Sequence, residues 1–188
     1  MVAAGATGDF TPVCDSRLAL LNDFDVREEG EFVLYWMIAT RRLHYNPSLQ
    51  RAVELAIELD RPLLVMEAIS SEHKFANDRI LTFMIQGLLE NQRSFEERGI
   101  RFIPWVTTPL QSDTGLLQRL SKRACVVVTD QYPTYHPHRV LMLAKDKIDA
   151  RLEAVDGNGI LPMSVAGRGF ETAHSFRRHL HDSFVEHW

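Results

Sequence analysis

The amino-acid sequence predicts an α/β fold: a doubly wound, five-stranded parallel sheet with helices on both faces, followed by a linker helix. Three observations support this prediction. Short apolar runs alternate with longer helical patterns across residues 31–160. No internal repeat breaks the alternation, so parallel strands joined by helical crossovers are the economical arrangement. The 188 residues, 45% of them hydrophobic and 24% charged, are enough for one such domain and a tail.

The first strand is predicted at 32–38, where the run FVLYWMI is continuously apolar, as in a strand buried on both faces. A helix follows, because Asn46 is a favoured cap and Pro47 suits the first helical position. The second strand is expected at 62–69, since PLLVMEAI is again short and mainly apolar. The apolar stripe of the intervening helix consists of Leu49, Val53, Ala56 and Ile57.

A long helix is predicted from Asn77 to Arg98, because apolar residues recur every three or four positions and Gly99 follows. The third strand, 100–106, contains Pro104, which is best tolerated near the edge of a sheet. The remaining predicted elements are a helix at 112–122 capped by Ser112 or Asp113, a strand at 124–129, a helix at 137–149 and a strand at 151–155. This succession is Rossmann-like.

Two segments flank the predicted domain, which spans 31–160. Residues 1–30 read as a polar lead-in, and the first nine are expected to be disordered because their side chains are small. Residues 161–188 read as a linker and a terminal helix, predicted at 172–186. The apolar stripe of that helix has little surface of its own to cover it, so we expect it to dock on a partner or on the rest of the protein. The stripe consists of Phe176, Leu180 and Phe184.

Composition limits the classes of function. The net charge of −4 gives no strong basic field, so this part of the protein is not expected to be the main contact to nucleic acid. Cys14 and Cys125 are too few for a disulfide framework and fit a reducing interior. The sequence has no secretory signal pattern and no apolar run long enough to cross a membrane. We therefore expect a cytoplasmic protein without a membrane partner.

The common catalytic motifs are missing from the sequence. The stretch Gly157-Asn158-Gly159 lacks the third glycine of a dinucleotide-binding loop, and there is no Gly-Lys-Ser/Thr motif. Ser70 lacks the flanking glycines of a nucleophile elbow. His174 and His181 would share a helix face, but two arginines lie between them and disfavour a cation. We predict neither catalytic residues nor a metal site.

Aromatic, cationic and acidic side chains follow two of the predicted strands. The carboxyl ends of neighbouring parallel strands meet in a crevice where such sheets bind ligands. Aromatic rings with a carboxylate and guanidinium groups suit a flat heteroaromatic ligand with a polar tail, and ordinary loop packing is the alternative. The residues are Thr40, Arg41, Arg42, His44 and Tyr45 after the first strand, and Asp130, Gln131, Tyr132, Pro133, Thr134, Tyr135 and His136 after the fourth.

Several short motifs, taken in order, resemble one family. They are Arg17 with Leu21-Asn22-Asp23, VLYWM at 33–37, Arg41-Arg42 with Tyr45-Asn46, FMIQGL at 83–88, GIRF at 99–102, VTD at 128–130 with Tyr132-Pro133, NGILP at 158–162 and TAHSFRR at 172–178. They resemble the N-terminal, antenna-type α/β domain of class II-like DNA photolyases, in the photolyase/cryptochrome family. The resemblance covers about Arg17 to Arg178, nearly the whole chain.

The resemblance implies a role in DNA repair. Members of the family are deoxyribodipyrimidine photo-lyases, carbon–carbon lyases that split cyclobutane pyrimidine dimers by light-driven electron transfer from reduced FAD. FAD and most DNA contacts belong to a C-terminal helical domain. The α/β domain can hold an antenna chromophore, either 8-hydroxy-deazaflavin or methenyltetrahydrofolate. No residue of this chain matches the FAD site, so we expect the helical domain to be missing and the isolated chain to be unable to repair DNA.

The crevice position and the chemistry suggest five antenna contacts: Trp36, Met37, Arg41, Asp130 and Tyr132. The aromatic side chains would stack on a flat ring. Arg41 would meet an anionic tail, and Asp130 would accept from a ring N–H or hydroxyl group. Core packing is the alternative for Trp36 and Met37.

Two readings from other classes of function stay open. A stand-alone nucleotide-binding or sensory module on the same fold would be stabilised by ATP or AMP rather than by a deazaflavin. A pure interaction domain would use the terminal helix to dock a partner.

Overall fold

The computed structural model describes residues 11–72, 76–108 and 115–187. Its strands are β1 (Leu18–Leu20), β2 (Phe32–Met37), β3 (Leu63–Ser70), β4 (Arg101–Thr107), β5 (Ala124–Gln131) and β6 (Arg151–Asp156). Its α-helices are α1 (Pro47–Glu58), α2 (Asp78–Glu96), α3 (Leu116–Ser121), α4 (Tyr135–Ala144), α5 (Met163–Ala166) and α6 (Ala173–His187). The predicted disorder of the first nine residues and the predicted caps Ser112 and Asp113 lie outside the described residues.

Helices cover both faces of the sheet and create two hydrophobic cores. Leu49 and Leu55 of α1 and Phe95 of α2 belong to one core, whereas Leu120 of α3 and Leu141 of α4 belong to the other. Successive residues of each strand point to opposite faces, so every buried strand contributes to both cores. The predicted α/β arrangement with helices on both faces is confirmed.

The sheet contains six strands in the order β1-β6-β5-β2-β3-β4. Neighbouring strands are parallel except β1 and β6, which are antiparallel. The predicted five-stranded, wholly parallel sheet is therefore wrong by one edge strand. That strand lies within the segment predicted to be a polar lead-in, and its three residues are too few to show a strand periodicity.

Residues 17–27 form a strap along β6. Arg17 Nη1 donates at 2.9 Å to the last backbone carbonyl of β6, and Arg27 Nη2 donates at 2.7 Å to a carbonyl two residues before β6 begins. Between these two arginines, Asn22 Oδ1 accepts the backbone N–H of Leu152 at 3.0 Å, in the way that a backbone carbonyl of a neighbouring strand would. The strap thus covers an edge that β6 would otherwise expose.

Local signals set the beginnings of the two long helices as predicted. Asn46 caps α1 and Asn77 caps α2, and each Oδ1 accepts an N–H from the third residue onward at 3.0 Å. Pro47 is the first residue of α1. The strand that contains Pro104 lies at the edge of the sheet, which confirms that prediction. In contrast, α4 begins two residues earlier and ends five residues earlier than the predicted 137–149.

The terminal helix α6 lies close to its predicted bounds and packs on Phe170. The Phe170 ring centroid is 5.4 Å from that of Phe176 and 5.1 Å from that of His179. His179 Nε2 lies 3.1 Å from the carbonyl oxygen of Val165 in α5. Neither α6 nor any other described helix is both long and apolar enough to span a bilayer.

Candidate functional site

The strand order reverses between β2 and β5. From β2 the chain moves outward to β3 and β4, whereas β5 leads in the other direction to β6. Loops that diverge at such a reversal leave a crevice at the carboxyl ends of the strands. The loop 38–46 after β2 and the connection 132–134 after β5 border this crevice. Two clefts, described below, lie against these segments.

Asp130, the penultimate residue of β5, anchors the loop after β2. Its side chain is 1% exposed, and Oδ1 accepts the Tyr35 hydroxyl at 2.9 Å. Oδ2 accepts the backbone N–H groups of Ile38, Ala39 and Thr40 at 2.9, 2.8 and 3.0 Å. Hydrogen bonds to an ionised acceptor are the strong ones, so this carboxylate fixes the beginning of the loop against β5.

Asn46 holds the other end of the same loop. Its Nδ2 lies 3.0 Å from the carbonyl oxygen of Thr40 and 2.8 Å from that of Arg42. It also lies 3.0 Å from the hydroxyl of Tyr35, which therefore connects Asn46 to Asp130. Burial, and next the carboxylate of Asp130, raise the pKa of Tyr35 well above its ordinary value. Tyr35 thus remains a neutral hydroxyl group at physiological pH.

The larger cleft has a volume of about 580 Å³, within the range typical of small-molecule sites. It lies over the carboxyl ends of β2, β3 and β4 and extends between the first turns of α2 and α4. Its lining is mainly apolar. The helices contribute Ile80, Leu81 and Met84 from α2, and His136, Pro137 and Val140 from α4.

Arg41 is the cation on this lining. Its Nη2 donates at 3.0 Å to the carbonyl oxygen of Ala68, and its Nη1 lies 3.4 Å from Glu67 Oε1. Glu67 is 1% exposed, and its Oε2 accepts Asn91 Nδ2 at 2.9 Å. Among the described residues, Arg41 Nη1 is buried without a hydrogen-bond acceptor. The guanidinium is therefore held in place by two residues of β3, through a hydrogen bond from Nη2 and an ion pair at Nη1.

Glu67 is expected to give the stability of the domain a pH dependence. Burial raises the pKa of Glu67, and hydrogen bonding from Asn91 and the charge of Arg41 offset part of this rise. Because the folded-state pKa exceeds the unfolded-state value, the contribution of Glu67 to the free energy of unfolding is fully present below the unfolded-state pKa. It is lost as the pH rises through the folded-state pKa.

We expect the wild type to lose stability relative to Glu67→Gln as the pH rises from about 4 to about 8. The free energy of unfolding of the wild type minus that of the variant should therefore fall across this range. Urea titrations of both proteins across this range measure it. Two curves that stay parallel would show that Glu67 titrates alike in the folded and unfolded chains.

A smaller cleft of about 370 Å³ adjoins the larger one. Ala39, Arg41 and Tyr132 line both clefts, so the two are continuous. The remaining lining of the smaller cleft is polar or lacks a side chain. It consists of Thr40, Arg42, Gly157 and Asn158.

The structure brings three of the five expected contact residues together. Trp36, Arg41 and Tyr132 line the larger cleft. Met37 is fully buried in the core beneath α1 and α2, on the other face of β2 from Trp36. The carboxylate of Asp130 lies behind the loop, where its oxygens accept hydrogen bonds from the protein itself. Met37 and Asp130 therefore support the wall of the cleft rather than line it.

Sequence reasoning missed the polar pair behind Arg41 and the part that α2 plays in the site. Glu67 carried a signal, since it is a single carboxylate inside an apolar strand. Asn91 is likewise a polar residue on the buried stripe of α2. Ile80 and Met84 were recognisable only as members of a helical apolar stripe, because nothing in the sequence shows that α2 passes over the ends of the strands.

Residues 33–185 match the family model for DNA photolyase. The deoxyribodipyrimidine photo-lyase of Methanothermobacter thermautotrophicus is 29% identical over 150 residues, which cover 80% of this chain and 33% of that protein. The deoxyribodipyrimidine photo-lyase of Arabidopsis thaliana is 27% identical over 145 residues, which cover 74% of this chain and 28% of that protein. This chain thus spans about a third of the length of the curated relatives that it matches.

A solved structure described as a universal stress protein of Pseudomonas aeruginosa UCBPP-PA14 has a similar fold. The TM-score is 0.50 at 14% identity, and the superposition covers 74% of this chain and 52% of that one. At this identity the similarity concerns the fold alone. The family model, in contrast, matches most of the chain, including the strands and loops that build both clefts. This chain belongs to the DNA photolyase family and represents its N-terminal α/β domain.

Proposed function

We propose that this domain holds an antenna chromophore of the deazaflavin or folate class in the larger cleft, and that the whole protein repairs cyclobutane pyrimidine dimers with light. One observation carries the proposal for this domain: a mainly apolar cleft of about 580 Å³ lies at the point where the strand order reverses, with Trp36 and Tyr132 on its lining. Membership of the photolyase family supports the proposal for the whole protein.

The residues of the cleft fit a flat ring with a polar rim. Trp36 is 4% exposed and therefore fixed by packing, whereas Tyr132 is 37% exposed and can present its ring to a ligand in the cleft. The Arg41 side chain lies on the lining, and its guanidinium is held there by the carbonyl oxygen of Ala68 and by Glu67. Met37 and Asp130 contribute from behind the wall, the first by packing and the second by fixing the loop.

When bound, the chromophore absorbs light and passes its excitation energy to FAD. The task of this chain is then to hold the ring in one orientation and to keep water away from it. Ile80, Leu81 and Met84 of α2 supply the apolar cover. The hydrogen bonds from the loop to Asp130 supply the rigidity, because a loop fixed before binding loses little entropy on binding.

The test titrates the purified chain with 8-hydroxy-deazaflavin and follows its absorption and emission. We expect a red-shifted absorption band and quenched emission on binding. Tyr132→Ala should weaken the affinity about tenfold, because one aromatic face of the site is lost. Tyr135→Ala is the matched control, since Tyr135 is 88% exposed and lines neither cleft, and its affinity should equal that of the wild type.

Other ligands decide between classes of function. Methenyltetrahydrofolate is titrated in the same way, and ATP and AMP are compared by thermal unfolding. If no deazaflavin or folate binds, the antenna proposal fails. Stabilisation by ATP or AMP alone would instead favour a nucleotide-binding module.

Repair is tested on the whole protein. It is purified from its host through an affinity tag added to its gene in the genome. We expect light-dependent reversal of a thymine dimer in an oligonucleotide, with no reversal in darkness. A protein that contains FAD yet leaves the dimer intact under light would contradict the repair activity while leaving the chromophore site of this domain open to its own test.

A further inference from the structure

We propose that the smaller cleft is an anion subsite, which receives the acidic tail of the ligand whose ring occupies the larger cleft. The inference rests on the proposed function and adds a ligand class to it: a chromophore that carries phosphate or carboxylate groups on its side chain. The residue that would recognise this tail is Arg42.

The two clefts form one continuous site with two chemistries. Ala39, Arg41 and Tyr132 line both, so a ligand can extend from one into the other without leaving the protein surface. The larger cleft is mainly apolar, whereas the smaller one is lined by Thr40 and Arg42 and by a backbone exposed at a glycine. A ring with a charged tail matches this division, and an uncharged ring would leave the polar half unused.

Arg42 supplies the positive charge of the smaller cleft. Its Nη2 donates at 3.1 Å to the carbonyl oxygen of Tyr45, which holds the side chain near the loop. It forms no ion pair within the part of the chain that the structure describes. Arg41 differs, because it lies beside a carboxyl group of the protein, with Glu67 Oε1 3.4 Å from its Nη1. The uncompensated cation is therefore Arg42.

The carboxyl groups of Asp130 and Asp156, at the ends of β5 and β6 beside this cleft, are buried. Asp130 is 1% exposed, and its oxygens accept hydrogen bonds from the loop after β2 and from the Tyr35 hydroxyl. Asp156 is 2% exposed; its Oδ1 accepts the N–H of Asn158 at 2.8 Å and its Oδ2 accepts the N–H of Met163 at 2.6 Å. Both carboxylates thus accept their hydrogen bonds from the protein itself, so neither presents an exposed oxygen to a ligand in the cleft.

The cleft is also fixed before any ligand arrives. Asn158 Nδ2 donates at 2.7 Å to the carbonyl oxygen of Gln131, which ties the loop after β6 to the end of β5. A Cβ at Gly157 would lie 3.3 Å from Thr40 Oγ1, so the glycine lets the loops after β2 and β6 approach while the space between them stays open. Preorganised walls favour a specific tail over a loosely bound counterion.

The test compares chromophores that differ only in their tails. The first pair is 8-hydroxy-5-deazariboflavin and its 5′-phosphate. The second pair is methenyltetrahydrofolate with one glutamate and with several. In 50 mM salt we expect the wild type to bind the more anionic member of at least one pair about tenfold more tightly. Raising the salt to 200 mM should reduce that preference, because dissolved ions screen the attraction between Arg42 and a tail that is partly exposed to solvent.

Arg42 variants locate the effect. Arg42→Gln should abolish the preference for the more anionic tail, and Arg42→Lys should retain most of that preference. Arg139→Gln is the matched control, because Arg139 is an exposed arginine on α4 that lines neither cleft. Thermal unfolding of each variant checks that the fold is kept.

The outcomes separate the two proposals. Equal affinity within both pairs, or a preference that survives Arg42→Gln, overturns the anion subsite while the chromophore site stands. Failure of all four compounds to bind overturns the chromophore proposal and the subsite with it. A phosphate preference assigns the tail as a phosphate ester, and a glutamate preference assigns it as a carboxylate.

Discussion

Replacing Asp130 by alanine is expected to lower the free energy of unfolding by about 3 to 5 kcal/mol. The carboxylate accepts three backbone N–H groups and the Tyr35 hydroxyl, and it is 1% exposed. Without it these donors lose an ionised acceptor, and each buried donor left unsatisfied costs about 1 to 3 kcal/mol. Partial access of water to the loop keeps the total below the simple sum.

Urea denaturation measures this loss of stability, and Tyr35→Phe is the variant with which it is compared. That variant removes one hydroxyl and leaves the loop bound to Asp130, so we expect a loss of only about 1 to 2 kcal/mol. Asp130→Ala should also weaken chromophore binding, because Ala39 and Arg41 on the cleft lining belong to the loop that it releases. If Asp130→Ala is no less stable than Tyr35→Phe, the loop does not depend on this carboxylate.

Replacing Gly30 by alanine is the second change with a large expected effect. A Cβ at this position would lie 2.5 Å from the backbone nitrogen of Cys125, 2.7 Å from its Cα and 2.8 Å from the carbonyl carbon of Ala124. These are backbone atoms of β5 in the middle of the sheet, so they cannot yield as the end of a flexible side chain would. We expect a loss of about 3 kcal/mol or failure to accumulate as folded protein.

Gly87 is the matched control for Gly30. It lies inside α2, and a Cβ there would meet nothing within 4 Å. Gly87→Ala should therefore stabilise the domain by about 0.5 to 1 kcal/mol, since alanine loses less backbone freedom in a helix. Chemical denaturation of both variants under one set of conditions gives the comparison. A Gly30→Ala protein as stable as the wild type would mean that the chain before β2 can shift away from β5.

The parts of the fold that the sequence predicts are those with a local cause. The continuous apolar run of β2 and the cap and proline of α1 act within a few residues, and both elements form where predicted. β1 has no such cause. Leu18, Ala19 and Leu20 become a strand because β6 offers them backbone partners more than 130 residues later, and no short window contains that information.

The candidate site was predictable in position and less so in membership. The two loops rich in aromatic and charged residues follow strands of the predicted parallel sheet, and this placement predicts the crevice from the sequence alone. The alternation of side chains along a strand also implies that Trp36 and Met37 face opposite sides, so only one of them can line a given cleft. Asp130 does not face the cleft, because its carboxylate accepts hydrogen bonds from the backbone of residues 38–40. The path of these residues is not predictable from a short stretch of sequence.

The strap along β6 has a consequence for how the protein is made. Arg17 binds a carbonyl that lies 139 residues further along the chain. A ribosome that adds about 5 to 20 residues per second needs roughly 7 to 28 s to synthesise that stretch. The strap is therefore synthesised well before its partner and docks only after β6 has been made, and β6 has its free edge covered within the same molecule.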